Sequence, residues 1–148
     1  MLKPLAIAFA LTCSAGSLHA AGVLEPSDIE EIVESMATGY QSGKAAGMRT
    51  IETQCWNSKK EVKEGRQDVL AYCGVLAFTG HLIEDMQAEK SGKPLPAYWN
   101  EDTVTDRIAE QAVGMRLKSE EIEQVLADEI VGKADLIARA LEKKGYTY

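Results

Sequence analysis

VLAYCGVLAFTGHLI, residues 69–83, is apolar on almost every face once it is wound as a helix. Val69, Cys73, Leu76 and Ile83 fall along one stripe; Tyr72, Val75, Leu82 and Met86 fall along a neighbouring one. A helix apolar most of the way round belongs in the middle of a bundle, sheathed by other helices. Gly74 and Gly80 lower its helix propensity, but they also remove the Cβ that would hold another helix or an aromatic ring at a distance. The segment is bounded downstream by SGKPLPAYWN (91–100), where two prolines and a glycine impose an extended loop.

Helices are expected on both sides of this central one. Ser27 with Glu30 forms a capping-box pattern, and Ile29, Ile32, Val33, Met36 and Tyr40 recur at helical spacing, so a first helix is predicted from Ser27 to about Gln41. Gly39, Gly43 and Gly47 weaken the following stretch, although Met48, Ile51 and Cys55 allow a further amphipathic turn or two. Ser58 with Glu61 repeats the capping pattern ahead of the central helix. After the loop a helix is expected to restart near Asp102 or Thr103, carry Val104, Ile108, Ala112 and Met115 on its inner face, and stop near Lys118. Ser119 then opens a last region in which Ile122, Val125, Leu126, Ile130, Ile137 and Leu141 keep the period, with a bend at Gly132 and an end at Gly145. Strand-like alternation, hairpin signals and internal repeats do not compete with this pattern. The expected fold is all-α, a compact bundle of five or six helices in one domain, residues 21–148.

The first twenty residues follow the export pattern: Lys3 as the charged start, Pro4 to Thr12 as a short apolar run, then small residues to Ala20, after which cleavage is expected. That run is too short to span a bilayer, which takes about 20 residues, and no later stretch is expected to span one. In a rival reading Cys13 becomes a lipid-modified N-terminus, but Ala10 and Thr12 fit a lipoprotein signal poorly. The expected location is periplasmic or secreted.

Cleavage after Ala20 removes Lys3 from the 16 basic side chains and leaves all 23 acidic ones, a net charge of −8. Phosphate binding needs a basic face, so nucleic acid is an unsuitable partner. An acidic exported domain suits a basic protein partner through electrostatic steering, or is simply kept soluble by its charge. In an oxidising compartment the two remaining cysteines, Cys55 and Cys73, are expected to be joined; their spacing is neither a CxxC redox motif nor a CxxCH haem site.

Candidate chemistry is sparse. His81, the one histidine after the leader, could share a helix face with Asp85 and hold a metal, but one histidine with one or two carboxylates is a thin ligand set, and neither a metal nor another cofactor is expected. The same histidine is the only base available to a serine or cysteine nucleophile, and no GxSxG elbow accompanies it. Glu34-Ser35 with Ala46-Gly47-Met48 faintly resembles the Glu-Ser and Gly-Leu-Met-Gln landmarks of lytic transglycosylases, which would make Glu34 a general acid; Arg49 stands where that family has glutamine. Acidic side chains at Glu120, Glu121, Glu123, Asp128 and Glu129 read mainly as a solvated helix face. Tyr98 and Trp99, followed by Glu101 and Asp102, either fold back over the core or stand out as anchors in an acidic rim. Trp56 is expected against the disulfide.

The layout of leader, compact helical domain and two cysteines, the second opening Cys73-Gly74-Val75-Leu76-Ala77-Phe78-Thr79-Gly80, resembles small periplasmic immunity proteins that protect bacteria from type VI secretion toxins. The resemblance implies a non-enzymatic protein-binding module that occludes the active site of a cell-wall-degrading toxin, a basic secreted hydrolase, with Tyr98, Trp99, Glu101 and Asp102 as the contact residues. The alternatives are a structural or secretion accessory of the periplasm and a peptidoglycan lytic enzyme using Glu34.

Overall fold

The computed structural model describes residues 24–59 and 66–148; the expected signal peptide, Cys13 and Glu61 lie outside them. The described residues form an all-α bundle: α1 (Pro26–Lys59), α2 (Arg66–Ser91), a 3-10 turn (Ala97–Trp99), α3 (Glu101–Gly114), α4 (Ser119–Val125) running into a π turn (Leu126–Val131), and α5 (Ala134–Lys143). α2 is the central helix that its composition demanded, with residues from Val69 to Met86 buried nearly all round. By length and hydropathy α2 would also suffice to cross a membrane, contrary to the reading of its sequence, yet most of that apolar stretch is buried inside the bundle.

The chief departure from expectation is α1, which does not weaken at its glycines but turns back on itself. Lys44 leaves helical geometry (φ 57°, ψ −142°), so residues 26–43 and 45–59 are two arms of one element. The arms meet at Gly39 and Gly47: a Cβ on Gly47 would overlap the backbone of Gly39, and one on Gly39 would overlap Ile51. The missing side chains therefore admit a backbone-to-backbone crossing, which outweighs their cost in helix propensity.

Two expected caps are also corrected. Ser58 lies inside the last turn of α1, its hydroxyl donating to the Cys55 carbonyl (3.2 Å). At the start of α1 it is Asp28, not Ser27, whose carboxylate accepts an end-group N–H, that of Glu25 (2.7 Å). α3 stops at Gly114, earlier than Lys118, because Arg116 takes a left-handed φ of 59°.

Cys55 and Cys73 are joined, their Cα atoms 5.8 Å apart, tying the second arm of α1 to α2. The bend expected at Gly132 is the π turn: the Gly132 N–H bonds to the Ala127 carbonyl, five residues back (2.7 Å), and Glu129 and Ile130 turn inward.

Candidate functional site: the Tyr98–Trp99 turn and the acidic helix it carries

The loop 91–100 delivers two aromatics to different places. Trp99 is 1% exposed. Its ring lies on the α2 backbone at Gly80, where a Cβ would overlap both the indole and the Met36 methyl. Gly80 is thus the close-approach glycine that α2 was expected to contain, and Trp99 is a wedge in the core instead of an anchor on the surface. His81, one residue on, bonds through Nδ1 to the Trp99 carbonyl (2.7 Å). Tyr98 is half-buried beside it, edge-on to Trp99 (centroids 5.0 Å).

Beneath the turn sits a carboxylate that the sequence reading passed over. Glu52, on the second arm of α1, is 1% exposed. Arg107 of α3 grips it with two bonds, Nε to Oε1 (3.1 Å) and Nη2 to Oε2 (3.0 Å). The Tyr98 hydroxyl donates to Oε2 (3.0 Å) and the Trp56 indole N–H to Oε1 (3.3 Å). Arg107 also donates to the Tyr98 carbonyl (2.5 Å). The Tyr98 ring is stacked between two guanidinium groups, that of Arg107 at 3.7 Å and that of Arg49 at 4.4 Å. Burial, and then the Glu52 charge, push the Tyr98 phenol above its ordinary pKa. A buried ion pair keeps its charges only when the remaining lone pairs and protons are also met, and here four donors from three elements meet one carboxylate.

Glu52 could have been found: it stands between Met48 and Cys55 on the apolar stripe of its helix. Arg107 likewise sits beside Val104 and Ile108. A charge on an apolar stripe is an instruction to look for its opposite on a facing helix.

The consequence for α3 is electrostatic. Asn100 caps the helix, its side-chain oxygen accepting from the Asp102 N–H (3.0 Å), and Glu101 and Asp102 in the first turn suit the positive end of the helix dipole. Asp102, Asp106 and Glu110 follow at intervals of four and share one exposed face. The only basic residue of α3, Arg107, is turned inward and 19% exposed, so it does not neutralise them.

Other expected residues lie elsewhere. Glu34 is 57% exposed on α1 and ion-paired with Lys144, beside the Glu30–Lys143 pair, around a shallow surface hollow of about 380 Å³. That is the setting of a solvated carboxylate, unlike a general acid held in an apolar cleft. Asp85 accepts from the Tyr148 hydroxyl (3.1 Å) and is not brought to a shared ligand with His81. The acidic run of α4 divides: Glu120, Glu123 and Asp128 are exposed. Glu121 accepts from the Lys118 backbone N–H (2.7 Å), which holds its carboxyl below the usual range. Glu129 is buried, pairs with Lys133 and accepts from the Leu24 N–H (3.1 Å), while Lys133 donates to the Leu24 carbonyl (2.5 Å).

Comparison of the chain with protein-family models, with curated proteins and with solved structures finds no match.

Proposed function

We propose that this chain is an exported, non-enzymatic protein-binding module, an immunity-type antagonist that occludes the active site of a basic cell-wall hydrolase. The observation that supports this reading is the outer face of α3. Glu101, Asp102, Asp106 and Glu110 are exposed there, and the helix's single cation is withdrawn into the bond with Glu52. Uncompensated acidic charge on a firmly held helix steers a basic partner and opposes one of like charge. Tyr98 belongs to the contact through its exposed edge. Trp99, being buried, serves by fixing the turn from which α3 starts. Export and an oxidising compartment accord with the Cys55–Cys73 bond.

Turbidity loss of a peptidoglycan suspension tests the reading. The oxidised protein is added in increasing amounts to a panel of basic muramidases and amidases. Stoichiometric inhibition of one class is expected, relieved by high salt and by the combined variant Glu101→Gln, Asp102→Asn, Asp106→Asn, Glu110→Gln. Unchanged lysis across the panel at large molar excess would overturn it. Clearing by the protein alone, lost in Glu34→Gln, would establish the lytic-enzyme alternative.

A further inference from the structure

Lys44, where α1 turns back, is held at φ 57° and ψ −142°, a region that glycine enters at far lower cost than lysine. The neighbouring Gly43 does not take this conformation. A strained non-glycine residue next to an unused glycine directs attention to its side chain. The Lys44 ammonium lies 4.9 Å from the centroid of the Tyr40 ring. Tyr146, just beyond α5, stands edge-on to Tyr40 with centroids 6.1 Å apart and planes at 83°, so the two rings form a corner. A tyrosine and a lysine four residues apart meet routinely on a regular helix. Here the backbone at Lys44 is not helical, and regular spacing does not place the ammonium on the ring.

The second, independent observation is Glu84 of α2. It is 7% exposed, and among the described residues no group donates a hydrogen bond to it and no cation pairs with it. No side-chain oxygen is both sealed from solvent and without a partner. The Glu84 carboxylate therefore still reaches solvent, through a narrow opening. Burial pushes its carboxyl up, and the nearby charge of Lys44 works against that. Burial, and then the Glu84 charge, raise the Tyr40 phenol. The four groups thus occupy one locality: a recessed anion with capacity for donors, a two-ring corner, and a tethered cation on the face of one ring.

A ring face beside a desolvated carboxylate suits an organic cation, because the ring quadrupole attracts the charge and the carboxylate accepts its N–H groups. One carboxylate and two phenols are a poor ligand set for a divalent metal, which calls for six or more oxygens. We propose that Tyr40, Tyr146 and Glu84 form a receptor for an alkylammonium group of the lysine type, and that Lys44 occupies it as a built-in, displaceable ligand. The receptor lies away from the α3 face and stands or falls independently of the proposed antagonism.

The test uses the full oxidised chain and the variant Lys44→Gly, which removes the tethered competitor and places at the kink the residue its backbone favours. Ring-proton shifts of Tyr40 and Tyr146 are followed on titration with cadaverine, with a blocked Ala-Lys-Ala peptide, and with the same peptide carrying norleucine for lysine. Lys44→Gly is expected to bind an ammonium probe roughly tenfold more tightly than the wild type and to ignore the norleucine peptide. Introducing Glu84→Gln into Lys44→Gly should cost about tenfold again. Binding of either ammonium probe supports the receptor, and the tighter one tells a free diamine from a polypeptide lysine. No ring shifts with either, or equal shifts with the norleucine peptide, would overturn it.

Discussion

Glu52 and Glu84 are both buried carboxylates on helices that pack together, and they are treated in opposite ways. Glu52 receives an arginine fork, a phenol and an indole, drawn from its own helix, the 3-10 turn and α3. Glu84 receives nothing from the described residues, and its carboxyl is pushed up by the burial that Glu52 tolerates through its partners. The cost of desolvation is similar in kind at both places; only at the first is it answered within the fold. A carboxylate with every lone pair filled holds elements together, whereas one left open is held by its elements for something they do not supply.

The sharpest way to break this contrast is to remove the filled carboxylate. Glu52→Ala leaves Arg107 buried against Tyr98 without its counter-ion and should cost about 3–5 kcal/mol of stability, read from urea unfolding. Arg107→Met should cost a similar amount for the converse reason. Glu52→Leu combined with Arg107→Met should cost less than the sum of the single changes, because no unpaired charge remains. Additive losses would show that the two residues act separately.

Next in size is the covalent tie beside that hub. Cys55 is three residues from Glu52 and joins α2 at Cys73, 18 positions along the chain. On chain-entropy grounds Cys55→Ala with Cys73→Ala should lose roughly 3 kcal/mol, measured against the oxidised wild type. Smaller again is Gly80→Ala, which drives a methyl group into the Trp99 ring and the Met36 methyl. Overpacking of this kind costs about 1–3 kcal/mol. Its specific sign is a changed near-UV signal from Trp99, which a mere loss of helix propensity would not produce.

Much of the first region was legible in the sequence and little of the second. The apolar stripes of residues 69–83, the Pro-Gly loop and the pairing of two cysteines in an exported chain each follow from period, backbone chemistry or compartment, and each is local or nearly so. Gly80 was legible as a place for a close neighbour. Glu52 and Arg107 were not matched because their pairing spans 55 positions and depends on how α1 turns, which Gly39 and Gly47 decide by touching across a kink. Read singly, each of those glycines only weakens a helix; as a facing pair they let two arms cross. Glu84 beside His81 and Asp85 looked like one more polar residue on a helix end. Its isolation becomes visible only when Tyr40, Lys44 and Tyr146 arrive from the two ends of the chain.

The smallest expected effect separates the two carboxylates most cleanly, because the sign of the response differs. In the folded protein burial raises the Glu84 carboxyl above its ordinary value of 4.5. Between that value and the raised one the folded state binds more protons than the unfolded chain, so stability is greatest below the window and is lost as pH rises through the folded pKa. Glu84→Gln carries the neutral form at every pH. It should flatten the stability profile across that window and be no less stable than wild type at pH 7. Glu52→Gln, which takes the charge from beneath Arg107, should be less stable at pH 7. Lys44→Gly removes the cation that partly offsets the burial of Glu84, and should steepen the pH dependence that Glu84→Gln abolishes. Urea unfolding midpoints at a series of pH values read all three variants, and a Glu84→Gln protein that weakens at neutral pH as Glu52→Gln does would mean that the second carboxylate is filled after all.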